Sequence, residues 1–130
     1  MALSQNSDMQ RCIDACIECH RTCLQMAMGD CIRTDGNHAE PELIRLMLNC
    51  AELCQTTANF MISDSPVHGI ACNACAQVCD ACTQSCEEVS GMEECVRACR
   101  YCAESCEQMS QQQFLRGVPA VSGTVASAHA

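Results

Sequence analysis

The stretch CNACAQVCDACTQSC, residues 72–86, places cysteine at 72, 75, 79, 82 and 86, a spacing of 3, 4, 3, 4. Alternating threes and fours are the period of an α-helix. At ~100° per residue, Cys72, Cys75, Cys79, Cys82 and Cys86 fall within about 60–80° of arc, a single narrow stripe along one helix face. Two more segments do the same. CIDACIECHRTC (12–23) spaces Cys12, Cys16, Cys19 and Cys23 by 4, 3, 4, and CVRACRYCAESC (95–106) repeats this with Cys95, Cys99, Cys102 and Cys106. The unit C-x3-C-x2-C-x3-C therefore occurs three times, starting at Cys12, Cys75 and Cys95.

Between the first and second of these segments, Leu43, Met47, Cys50, Cys54, Thr57 and Met61 keep the same spacing with other residues. This fourth helix opens at Pro41, a good first-turn residue. Gly29, Asp30 and the cluster Thr34-Asp35-Gly36-Asn37 separate it from the helix before. Ser65-Pro66 reads as an N-cap followed by a first-turn proline. Ser90-Gly91-Met92-Glu93 fits a capping box. Four helices follow, near 8–30, 40–62, 66–89 and 92–114. The fold class is all-α, an antiparallel up-down-up-down four-helix bundle with a cysteine-lined core over residues 1–115. The segment 116–130 has no period and reads as a mobile C-terminal tail. Ile13, Ile17, Leu24, Ile32, Ile44, Leu46, Leu48 and Ile62 lie off the stripes and are expected to pack between helices or against another subunit. A thiol fills less volume than leucine, so such a core is expected to be underpacked.

Composition narrows the function. Sixteen of 130 residues are cysteine, and only Phe60, Tyr101 and Phe114 are aromatic. The net charge of −9, without a basic cluster, argues against nucleic acid as a partner. No stretch reaches the ~18 apolar residues of a membrane span. MALSQNSDMQ has neither a cationic start nor an apolar run, so a cytoplasmic location is expected, where thiols stay reduced or hold metal.

Disulfides fit the stripes badly, because helix neighbours three or four apart have Cβ atoms ~5–6 Å apart against ~3.5–4.5 Å in a disulfide. Metal fits better. Two bonds of ~2.3 Å from an ion to two thiolates span about 4.6 Å, close to what a pair three or four apart presents. Soft thiolates select Cu(I), zinc or iron–sulfur clusters. The iron–sulfur run C-x2-C-x2-C-x3-C is absent. Zinc held by four thiolates leaves two negative charges per site, and the stripes carry no lysine or arginine to offset them. One monovalent ion per thiolate leaves the core neutral, which favours many Cu(I) ions.

These segments, with CAELC (50–54), resemble the cysteine-rich four-helix-bundle copper storage proteins of bacteria over roughly residues 8–114. The resemblance implies a cytosolic Cu(I) store that is not an enzyme, forms homotetramers and loads many Cu(I) ions inside each bundle. It implies that the stripe cysteines are the metal ligands. Cys31 is added to them although it lies about 60° off the edge of the Cys12–Cys23 arc in a straight helix.

Topology places Met9, Met61, His68 and Met109 at one end of the bundle, with Cys12, Cys72 and Cys106 just inside. Thioethers and imidazole bind Cu(I) more weakly than thiolate, so this end is a candidate mouth that passes ions inward, from a copper donor or to an acceptor. The opposite end, with Met26, Met47, Met92 and Cys95, competes for that role. His20, His38 and His129 read as solvent-exposed. The alternatives are a thiol redox or zinc-dependent regulator, and a zinc or cadmium detoxifier.

Overall fold

The structure, a computed structural model, describes residues 2–31 and 40–117. Four long helices run through them, with no strand among the described residues. Helix α1 covers Ala2–Gln25 and continues through a π-helical turn, Met26–Asp30; α2 is Pro41–Ile62, α3 is His68–Glu87 and α4 is Glu93–Arg116. Each helix packs mainly on two others: α1 on α2 and α4, and α3 on the same two. Chain neighbours are thus spatial neighbours around a ring, the up-down-up-down bundle that the stripes imply. Ile32, His38 and the 34–37 cluster, and the tail beyond Gly117 with His129, lie outside the described residues.

The helix boundaries follow from local chemistry. Pro41 is the first residue of α2, and Glu40 before it takes the extended backbone (ψ 127°) that a residue preceding proline adopts. The Ser65 hydroxyl accepts the Val67 N–H at 3.2 Å and the Ser65 carbonyl accepts the His68 N–H at 3.3 Å. That turn occupies 65–67, so α3 starts at His68 and not at Pro66. The capping box at 90–93 does not form: no side chain caps α4. The chain instead reverses at Gly91 with φ 89°, a conformation that suits glycine, and Glu93 and Glu94 place negative charge at the start of α4.

The core is sulfur. All sixteen cysteines are fully buried, together with Met47, Met61, Met92 and Met109. The expectation of an underpacked interior is not met, because neighbouring thiols touch at Sγ–Sγ distances of 3.5–4.0 Å. Alanines explain the close approach. Ala15, Ala51, Ala58, Ala76 and Ala103 each sit one residue from a stripe position and are buried. A methyl group at those seams lets the helix backbones come near enough for short thiol side chains to meet. Of the off-stripe aliphatics, Ile13 is buried, and Ile44, Leu46 and Leu48 pack half-buried against the core. Ile17, Leu24 and Ile62 stay exposed.

Candidate metal centre

Each thiol stripe faces the bundle axis, and contacts join all four helices. Cys23 Sγ lies 3.5 Å from both Cys95 and Cys99, linking α1 to α4. Cys50 is 3.6 Å from Cys79, linking α2 to α3, and 3.9 Å from Cys19. Cys54 is 3.7 Å from Cys79 and 3.8 Å from Cys102, linking α2 to α4 across the ring. Cys16 is 3.6 Å from Cys106, and Cys86 is 3.7 Å from Cys95. All sixteen cysteines are reduced, none of them joined in a disulfide.

Sets of four sulfurs lie within 4.8 Å of one another, and the sets overlap. Cys19 and Cys50 belong both to the set with Cys54 and Cys79 and to the set with Cys23 and Cys99. Cys54 and Cys79 recur with Cys75 and Cys102, while Cys23 and Cys99 recur with Cys82 and Cys95. The thiols are therefore not partitioned into isolated sites. Eight thiols, among them Cys19, Cys23, Cys75 and Cys102, each belong to two such sets, and this sharing links the sets into one ladder along the axis. With a metal–sulfur bond of ~2.3 Å, sulfurs 3.5–4.0 Å apart subtend about 100–120° at a shared ion, a range that takes in both tetrahedral and trigonal angles. Among the described residues no arginine is buried, and the chain has no lysine. Among the described residues, thiolates in the core are thus offset by protons or by bound metal and not by a buried arginine.

Ionisation is shared through the same contacts. Cys50 is held below the ordinary thiol range because Cys19, and then Cys23, Cys54 and Cys79, hydrogen-bond to its sulfur. Cys102 is pushed above it, first because it acts as donor to Cys106 and then to Cys16, Cys19 and Cys54, and also by burial. Cys99 is raised in the same way, with Cys19 its strongest neighbour. A few thiolates stabilised by many protonated neighbours is the state expected of a dry cluster without cations.

The two ends differ in detail. At the first, Met61 Sδ lies 3.8 Å from Cys72 Sγ, and Met109 is buried. Met9 is half-buried and, with Met61, Ile13 and Ile62, lines a surface groove. His68 is buried; its Nδ1 lies 2.9 Å from the Ser65 carbonyl oxygen. A carbonyl only accepts, so Nδ1 carries the proton and Nε2 presents a lone pair, which has no hydrogen-bond partner. At the opposite end, Cys31 is fully buried, with its Sγ 3.9 Å from Met47 Sδ. The helix does not end or bend away at Gly29, and the π turn brings Cys31 inward.

His20 departs from its expected exposure: it is half-buried, and Nδ1 reaches the Ala51 carbonyl of α2 at 2.8 Å. Two features had no signal in the sequence. One is the π turn. The other is Gln113, whose Oε1 accepts the Gly69 N–H at 2.7 Å and ties the end of α4 to the start of α3.

A four-helix bundle whose interior is one connected set of thiols defines a class, the many-site binder of soft metal ions. The chain belongs to the copper storage protein family, whose family model matches residues 5–111. Among solved structures it is similar to a Nitrosospira multiformis protein, 52% identical with a TM-score of 0.81, covering 82% of this chain and 98% of that one. A copper storage protein of Bacillus subtilis solved with Cu(I) bound is 32% identical, TM-score 0.73, covering 79% of this chain and 98% of the other. A cytosolic copper storage protein of Streptomyces lividans loaded with five coppers is 32% identical, TM-score 0.65, with 87% and 96% covered. An uncharacterised cysteine-rich protein of Bacillus subtilis is 33% identical over 69 residues, 53% of this chain and 63% of that relative's length.

Proposed function

We propose that this protein sequesters and stores Cu(I), in a cytosolic setting, as metal carried inside the bundle on cysteine thiolates. One observation carries this reading: the four-sulfur sets share members, so that the thiols form a continuous ladder. A ladder of shared thiolates suits ions that bring one charge per thiolate. Divalent ions in separate four-thiolate sites would leave two negative charges each in a core where, among the described residues, no arginine is buried. Binding replaces a thiol proton with a Cu(I) ion, so loading releases protons and weakens as pH falls.

The ligands in this reading are the stripe cysteines and Cys31. Met9, Met61, His68 and Met109 form the mouth, supported by the unpartnered Nε2 of His68 and by the contact of Met61 with Cys72. An imidazole whose other nitrogen donates to a carbonyl is the usual posture of a metal-binding histidine. Self-association into a homotetramer is supported by the exposed stripe of Ile17, Leu24 and Met28 on α1, spaced 7 and 4. A storage role calls for no catalytic group. The similarity to a cytosolic relative and the lack of a membrane-crossing helix among the described residues support the location.

Anaerobic titration of the reduced chain with Cu(I) against a competing chelator, in parallel with Zn(II), tests the function. Many tightly held Cu(I) ions, with Zn(II) displaced by them, is the expected result. Tight Zn(II) that Cu(I) does not displace would establish a zinc protein instead.

A further inference from the structure

Helix α1 runs past Gly29-Asp30, a pair that commonly ends helices. It does so by a π turn, in which the Cys31 N–H bonds to the Met26 carbonyl five residues back. π turns are rare and mark places where a helix is re-registered. The effect here can be worked out. In a straight α-helix Cys31 would stand about 60° beyond the edge of the Cys12–Cys23 stripe, at ~100° per residue. A π turn absorbs one extra residue, which takes back about 100° and returns Cys31 to the middle of the stripe. The thiol is accordingly fully buried, with its Sγ 3.9 Å from Met47 Sδ. Met47 is the α2 stripe position one turn before Cys50 and is also fully buried. A cysteine acting only as a small apolar filler would not need this register, because Gly29 offers a simpler way to end the helix.

Building on the storage reading above, we propose that Cys31 and Met47 form a further Cu(I) site, a mixed thiolate–thioether site beyond the all-cysteine ladder, and that its ion is the most readily exchanged in the bundle. With metal–sulfur bonds of ~2.3 Å, sulfurs 3.9 Å apart subtend about 116° at the ion, close to the trigonal angle. The Cys31 thiol gives up its proton to solvent as the Cu–S bond forms. One thiolate, one neutral thioether and one Cu(I) then sum to zero charge, whereas a divalent ion would leave a buried positive charge. The thioether binds less strongly than the thiolates deeper in the ladder, so the ion here leaves first.

The test uses the full chain, reduced and anaerobic, loaded with Cu(I) and then challenged with a chromophoric Cu(I) chelator. The variants are Cys31→Ser and Met47→Leu, the second keeping the volume and the thiolate. C31S should take up about one ion fewer and lack the fastest-released fraction. M47L should keep its capacity and hold its weakest ion about tenfold more loosely, equivalent to ~1.4 kcal/mol. Deleting Met28, which turns the π turn into a plain α turn with Cys31 still in register, should preserve the exchangeable ion. If C31S and M47L both match the parent chain in capacity and in the fastest phase, the proposal is wrong. A parent chain that binds only a few ions would instead remove the storage reading, an outcome visible before any variant is compared.

Discussion

Cys54→Ala separates a store from a switch. Cys54 is fully buried and touches Cys75 and Cys79 at 3.7 Å and Cys102 at 3.8 Å. It is a corner of two four-sulfur sets. Losing it leaves three sulfurs in each set, enough for a trigonal ion. Neutrality lowers the number of monovalent ions by one for the thiolate removed. The variant should therefore bind about one Cu(I) fewer than the parent, with the remaining ions still tight. Packing sets the stability change. Removing a buried sulfur gives up a little more than the ~0.8 kcal/mol of a methylene, and the closed core leaves a small cavity. A loss of about 1–2 kcal/mol in the apo protein follows, seen as a fall of roughly 4–8 °C in melting temperature. Anaerobic Cu(I) titration gives the capacity and circular dichroism gives the melt. Loss of most binding from this one change would point to a switch with a few special cysteines, and unchanged capacity would mean that the ladder thiols are not ligands.

Other consequences are as direct. Loading with Cu(I) should raise the melting temperature well above that of the apo protein, since an ion held at a thousandfold its Kd adds about 4 kcal/mol per site; equal melts would contradict this. The thiols held above the ordinary value of 9.0, among them Cys99, Cys102, Cys86 and Cys23, stabilise the apo fold below pH 9 and lose that contribution as pH rises. Apo melting temperature should fall above pH 9, while the loaded protein, its thiols already deprotonated, should not follow; parallel melts would refute the assignment. Gly69→Ala would put a Cβ 2.2 Å from Gln113 Cβ and break the Gly69–Gln113 bond, so unfolding should become easier by roughly 1–3 kcal/mol in denaturant titration. Replacing Met61, His68 and Met109 together by leucine, alanine and leucine should slow Cu(I) uptake in stopped-flow mixing and leave the final capacity close to that of the parent; an unchanged rate would place the mouth elsewhere.

The helices and their inward faces were legible because cysteine marks the stripe directly. Spacings of 3 and 4 fix which face is buried, and Pro41 fixes one helix start. Closure of the core was harder to read. It depends on alanines such as Ala76 and Ala103 beside the stripe, which look unremarkable until two helices are set side by side. A uniform 100° per residue misplaces Cys31, because nothing in MAMGD announces a π turn. A place beside the thiol stripe suggests an exposed His20, yet its ring finds a carbonyl across the α1–α2 seam. The capping box at 90–93 failed for a similar reason: Gly91 turns the chain by itself, and α4 starts without a side-chain cap. In each case the missing information is tertiary, a neighbour that local spacing does not contain.

The most direct measurement is copper per chain, by elemental analysis of reduced protein loaded anaerobically with excess Cu(I) and separated from free metal. A thiolate ladder kept neutral by monovalent ions predicts on the order of one Cu(I) per thiol, about sixteen for the sixteen cysteines. A plateau near four ions, one for each set of four thiols, would mean separate tetrahedral sites and would contradict storage on a shared ladder.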